Sequence, residues 1–211
     1  TDMTLPKNTK IYEQDREKFE QKFKISNSKA FSLILFASLL IIVEKVELFG
    51  ILDFLMQFLN KPPISMKYAE SFKYVDPLVV AFWAYSHLNL LKSGISVPAF
   101  KPMQPLYAYI VMLLGTILSF IFLQTQLDAS WGFSISMMIG ALAGYFFYLL
   151  LLKKSFGFIP FTNWDFWYLT TVILVLFAFY LGLISSGIPI ILISILGSVP
   201  FIYKSLKNYE S

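Results

Sequence analysis

Across 211 residues the chain is 57% hydrophobic and only 14% charged, where a soluble globular domain carries about 25% charged residues, and its mean hydropathy is +0.66. It has no cysteine, which excludes disulfides, thiolate metal centres and thiol nucleophiles. The formal charge is +4, but most of the basic excess sits in tails and short loops beside apolar segments, so it reads as membrane topology and not as nucleic-acid binding.

These bounds predict an all-α, polytopic integral membrane protein of about six transmembrane helices. A charged cytoplasmic tail over residues 1–28 precedes a helical bundle over residues 29–211. The tail holds no apolar run like that of a cleavable signal peptide, so the first apolar helix is expected to act as its own insertion signal. Within the tail, residues 11–24 read as a short amphipathic helix, because Tyr12, Phe19 and Phe23 share a face. Arg16 with Glu20, and Glu20 with Lys24, are i,i+4 pairs. This helix reads as a solvated lead-in, or else as one lying on lipid or docking a partner.

The first span starts near Lys29, and residues 30–43 are continuously apolar or small. Glu44, Lys45 and Glu47 follow, then a second apolar stretch to Leu59 that carries Asp53, Gln57 and Asn60. That stretch either extends the first helix or lies flat in the interface. A polar connection over 60–76 contains Pro62 and Pro63, and Pro77 suits the first residue of a second span ending near Leu91. The third span covers about 106–124 and the fourth about 131–152. Only a short turn separates them, so they form a hairpin. Thr162, Asn163, Trp164 and Asp165 match a capping box that opens a fifth span over about 165–184. Trp164, Trp167 and Tyr168 fit an interfacial aromatic belt. Ser185 to Pro189 make a tight turn into a sixth span over about 188–203.

Basic residues set the orientation. Thirteen of the seventeen fall in the two tails and in the loops after spans two and four, whereas Lys61, Lys67 and Lys73 face the other side. Both termini are therefore expected in the cytoplasm, with the chain integral to a bacterial inner membrane or another cell's plasma membrane.

Small residues are expected to bring helices together, since close packing drives helix association in lipid. Gly140 and Gly144 form a GxxxG that Ser136 extends, and Gly115 with Ser119 form a second small pair on span three. These faces meet within the hairpin, or else they form a homo-oligomer interface.

Candidate chemistry is sparse. Glu44 and Glu47 lie at i,i+3 on one face, with Lys45 about 100° away. Charges at membrane depth cost about 2.5–3.5 kcal/mol each on insertion scales. The cluster therefore lines a polar path or sits in the headgroups at the end of the span. His87 is the single histidine, and Asn89 lies on the same short span. A hydrogen-bonded structural role is expected for His87, because no cysteine or nearby acid pair would complete a metal site. No P-loop, GxSxG, HExxH or dinucleotide fingerprint is present, and no cofactor or metal is expected. Residues 91–95 and 184–188 share a Ser-Gly-Ile core that would correspond in a 3+3 inverted repeat.

The leading expectation is a non-enzymatic channel or transport-type protein, homo-oligomeric in one version, with a polar path built from Glu44, Glu47, Lys45, His87 and Asn89. The alternative is a membrane anchor or accessory subunit that docks a complex through the N-terminal helix. An intramembrane enzyme would need acids from other helices beside His87.

Overall fold

The computed structural model describes residues 16–63, 71, 74–99 and 101–180. Every regular element among the described residues is helical. Helix α1 runs from Arg16 to Phe58, α2 from Val75 to Leu91, α3 from Met103 to Leu123, α4 from Ala129 to Phe156 and α5 from Asn163 to Tyr180. The sixth span and the Ser185–Pro189 turn lie outside the described residues. So do Tyr12 and the rest of the tail before Arg16.

Helix α1 resolves two alternatives that the sequence left open. It passes without a break through Lys29 and through Glu44–Glu47, so the stretch after Leu48 extends the first helix and does not lie as a separate segment. The helix stops where local chemistry stops it. Asn60 takes a positive φ of 53°, and the Lys61 N–H donates back to the Met56 carbonyl at 2.8 Å, while the Asn60 N–H donates to Gln57 at 3.0 Å. Asparagine tolerates this left-handed cap, and Pro62 cannot continue a helix.

Helix α2 begins at Val75, two residues before the expected Pro77, which falls within the first turn. It leads into a π-helical turn over Lys92–Ser96. The Val97 N–H donates to the Lys92 carbonyl at 3.1 Å and the Lys101 N–H to that of Ser96 at 2.8 Å, the wide rings of a π turn. Gly94 lies here against Phe23, since a Cβ at position 94 would come within 2.2 Å of the Phe23 ring. Phe19 and Phe23 are both buried. The described part of the amphipathic tail thus packs its aromatic face onto its own bundle.

Helices α3 and α4 form the expected hairpin. Asp128 caps α4 by accepting from the Ser130 N–H at 3.1 Å and the Trp131 N–H at 3.0 Å. At the other end Gly157 takes φ 78°, beside Lys153 and Lys154 in the last turn, where cations complement the helix dipole. The small faces meet each other. A Cβ on Gly140 would sit 2.0 Å from the Thr116 hydroxyl and 2.6 Å from the Met112 carbonyl oxygen, and one on Gly144 would sit 2.7 Å from the Ala108 carbonyl oxygen. Gly115 faces the Gly140 Cα, and the Ser119 hydroxyl, which donates to the Gly115 carbonyl at 2.6 Å, lies 3.5 Å from the Ser136 carbonyl. The glycine and serine face is thus occupied within one chain.

Helix α4 is the centre of the bundle, packed by both α2 and α3, while α1 packs on α2. The core lies along that seam and includes Phe31, Ala84, Leu88, Leu91, Tyr145 and Tyr148. Among the described residues two helices, α3 and α4, are long and apolar enough to cross a membrane, and Asp165–Leu174 forms a shorter apolar stretch. The expected count of about six spans thus has a coarser counterpart here: an all-helical fold with two such helices among the described residues. Helix α3 turns an apolar face outward, with Leu113, Leu118, Ile121 and Phe122 exposed.

Candidate functional site

Polar residues at helical spacing converge at one level of the bundle. On α1, Asn27, Ser28, Phe31, Ser32 and Leu35 repeat at three and four residues and are all buried. On α2, Trp83 and His87 are one turn apart, with rings stacked 6.4 Å between centroids. On α4, Tyr145 and Tyr148 face the same seam.

His87 is wholly buried and joins three helices. Its Nδ1 lies 2.8 Å from the Tyr145 hydroxyl and its Nε2 lies 3.0 Å from Asn27 Oδ1. The Asn27 amide is itself oriented, because Nδ2 donates to the Pro160 carbonyl at 2.5 Å. Asn27 therefore presents only its oxygen to the ring, so Nε2 carries a proton. A neutral imidazole then has a bare Nδ1 that accepts from Tyr145. One donor and one acceptor complete the relay Tyr145–His87–Asn27. The Phe31 ring stands edge-on to the imidazole at 5.1 Å.

A second set of bonds lies beside the first. Asp165 is buried and divides its two oxygens. Oδ2 accepts from the Thr162 N–H at 2.7 Å and the Thr162 hydroxyl at 2.8 Å, and the Asp165 N–H donates back to Thr162 Oγ1 at 3.3 Å. This is the capping box read from the sequence. Oδ1 accepts from the Ser28 hydroxyl of α1, a tie between the first and fifth helices that the capping pattern alone does not predict. A cavity of about 70 Å³ adjoins both sets, lined by Phe31, Trp83, Tyr145, Phe161 and Asp165. Two polar atoms nearby, Ser32 Oγ and Trp83 Nε1, are buried without a hydrogen-bond partner, a costly state inside a bundle.

Asn89 stands apart from this relay. Its Oδ1 accepts from the Tyr109 hydroxyl at 2.6 Å and its Nδ2 donates to the Tyr85 carbonyl at 3.1 Å. Nearer the π turn, Ser96 Oγ lies 2.6 Å from the Tyr148 hydroxyl and Gln104 donates to the Ser155 hydroxyl at 2.5 Å. Glu44, Lys45 and Glu47 have helical backbone on α1, and their side chains lie outside the described residues. Glu44 follows Asn27 by 17 residues, about 25 Å of helix rise. The same separation divides Tyr145 from Asp128 at the far end of α4. Of the five polar residues singled out in the sequence, His87 alone enters the buried cluster among the described side chains.

The residues that complete the cluster carry weak sequence signals. Asn27 and Ser28 look like the polar margin of a span, and Tyr145 like one aromatic among many. Asp165 looks like a cap and nothing more. The ring nitrogens of His87 face a phenol and an amide, not a carboxylate. Among the described residues no three of His, Cys, Asp and Glu gather to hold a metal ion. No family model, curated protein or solved structure matches the chain.

Proposed function

We propose that this chain is a non-enzymatic, six-span membrane protein of the transport type, with both termini in the cytoplasm and with the cluster around His87 as its polar site. One observation carries the reading: His87, Asn27 and Asp165 are buried together between helices, beside a small cavity and two unpartnered polar atoms. Buried ionisable and polar groups that face the interior of a membrane bundle are expensive and are read first as functional. The apolar outer face of α3 supports a lipid environment, since a soluble surface rarely exposes a continuous apolar helix face.

Helix register supports an orientation for the path. His87 precedes Lys92 by five residues, Tyr145 precedes Lys153 by eight and Asn27 lies two from Lys29, so the cluster lies within about 12 Å of the basic end. Glu44 and Glu47 fall near the opposite end, level with Asp128, and suit an outer mouth. The small cavity suits a proton or a polar solute of about water size. Vesicles reconstituted with the protein should pass such a cargo faster than protein-free vesicles. Tyr145→Phe and Glu44→Gln/Glu47→Gln should each slow that flux several-fold. Vesicles as tight with the protein as without it would end the transport reading.

The anchor reading is favoured by a different observation: Phe54, Leu55 and Phe58 on the last turns of α1, and Leu59 just after it, are exposed. It also moves the docking surface, because Phe19 and Phe23 are already buried against this chain. Stoichiometric foreign subunits in the gently extracted native complex would favour this reading. A closed homo-oligomer would favour transport.

A further inference from the structure

Helices α2 and α3 both pack on α4 but scarcely meet each other. Between them runs a groove of about 460 Å³. Its floor is Ala81 and Ala141, both buried, and its rims are Phe82 and Leu113, each 60% exposed. The small floor residues are what leave the groove open. It follows the helix axes from Leu78 to Tyr85 on α2 and from Tyr109 to Thr116 on α3, about 10 Å in each case. In a chain that crosses a bilayer, this is the direction of a lipid acyl chain.

The inner end of the groove has a different chemistry. Tyr85 and Tyr109 flank it, with ring centroids 6.1 Å apart. The Lys92 ammonium lies over the Tyr109 ring at 5.6 Å. The ion pair found among the described residues is Lys24–Glu20, so no described carboxylate neutralises Lys92. Lys101, over Phe156 at 4.8 Å, adds a second cation at the same end of the bundle. An apolar groove running along the helices and ending at a half-buried ammonium matches an anionic amphiphile whose chain lies parallel to them.

We infer that this groove holds one anionic phospholipid of the inner leaflet, with its phosphate at Lys92 and one acyl chain running past Tyr85 and Tyr109 towards Leu78. Lys92 and Leu78 are 14 residues apart, about 21 Å. The chain would therefore reach the middle of a hydrocarbon layer about 30 Å thick. The inference rests on the membrane reading above but not on transport.

The test is native mass spectrometry of the detergent-solubilised protein titrated with phosphatidylglycerol or with phosphatidylcholine of the same chains. One phosphatidylglycerol should bind per chain, at least tenfold tighter than phosphatidylcholine. Lys92→Gln should remove that preference. Met137→Trp, which fills the groove wall, should weaken both lipids and leave Lys92 intact. Equal binding of the two lipids by the wild type, or binding unchanged in both variants, overturns the proposal. So does a lipid-free dimer whose contact is abolished by Met137→Trp, since a second copy would then fill the groove. A chain that stays soluble without detergent fails the membrane reading itself. A detergent-requiring chain with no lipid preference fails only this inference.

Discussion

Removing the Tyr145 hydroxyl should cost more than one hydrogen bond ordinarily contributes, and the cost should vanish when His87 is absent. In Tyr145→Phe the imidazole Nδ1, wholly buried and 2.8 Å from the lost hydroxyl, is left with no described partner. Stranding a buried polar group costs about 1–3 kcal/mol. Hydrogen bonds measured in membrane proteins average about 0.6 kcal/mol and reach about 1.7 kcal/mol. Because both groups are enclosed, the expected cost is near the upper end of the membrane range, about 1–2 kcal/mol. His87→Leu strands two groups, the Tyr145 hydroxyl and Asn27 Oδ1, and should cost about 2–4 kcal/mol by the same reasoning. In that background Tyr145→Phe removes an orphan and should be neutral or favourable, so the cycle should give a coupling of about 1–2 kcal/mol. The assay is equilibrium unfolding in mixed micelles of a mild detergent and dodecyl sulfate, followed by helical circular dichroism. Costs that simply add, within the ~0.5 kcal/mol expected of independent sites, would refute the relay.

Two further substitutions test the packing. Gly140→Val should push α3 from α4, because the obstacles to its Cβ are the Met112 carbonyl and the Thr116 backbone as well as a hydroxyl. Overpacking of this kind costs about 1–3 kcal/mol. Gly115→Ala, whose nearest neighbour would be 3.2 Å away, should cost clearly less in the same unfolding assay, and equal costs would refute the geometry. Gly94→Leu should undock the first turns of α1 by displacing the Phe23 ring. Faster proteolysis near residue 20 should report this, and Phe23→Ala should produce the same cleavage by itself. Unchanged cleavage in both variants would mean that Phe23 does not hold the segment.

Much of the architecture was legible because it is local. The turn between α3 and α4, the Thr162–Asp165 cap and the proline in the first turn of α2 are short-range signals, and each has its place in the structure. The continuity of α1 was not legible. A polar cluster at Glu44–Glu47 resembles the end of a span, yet nothing in those residues breaks a helix, and the stop comes only at Asn60 and Pro62. The buried cluster was hidden for another reason. His87 finds its partners 60 and 58 residues away, at Asn27 and Tyr145, and neither pairing leaves a mark in spacing. Asp165 illustrates how a complete local explanation conceals a second role. One carboxyl oxygen serves the cap and the other holds Ser28, because each oxygen of a carboxyl group can accept.

The absence of cysteine from the chain permits the most direct test of the account, which depends on these helices crossing a bilayer. Single cysteines would be placed at Gln126 in the α3–α4 turn, at Lys154 near the end of α4 and at the exposed Leu118 on α3. Each would be challenged with a membrane-impermeant maleimide on intact and on permeabilised cells. The account predicts labelling of Gln126→Cys from outside, of Lys154→Cys only after permeabilisation, and of Leu118→Cys in neither case. Labelling of Leu118→Cys as fast as Gln126→Cys would place the apolar face of α3 in water and contradict the account.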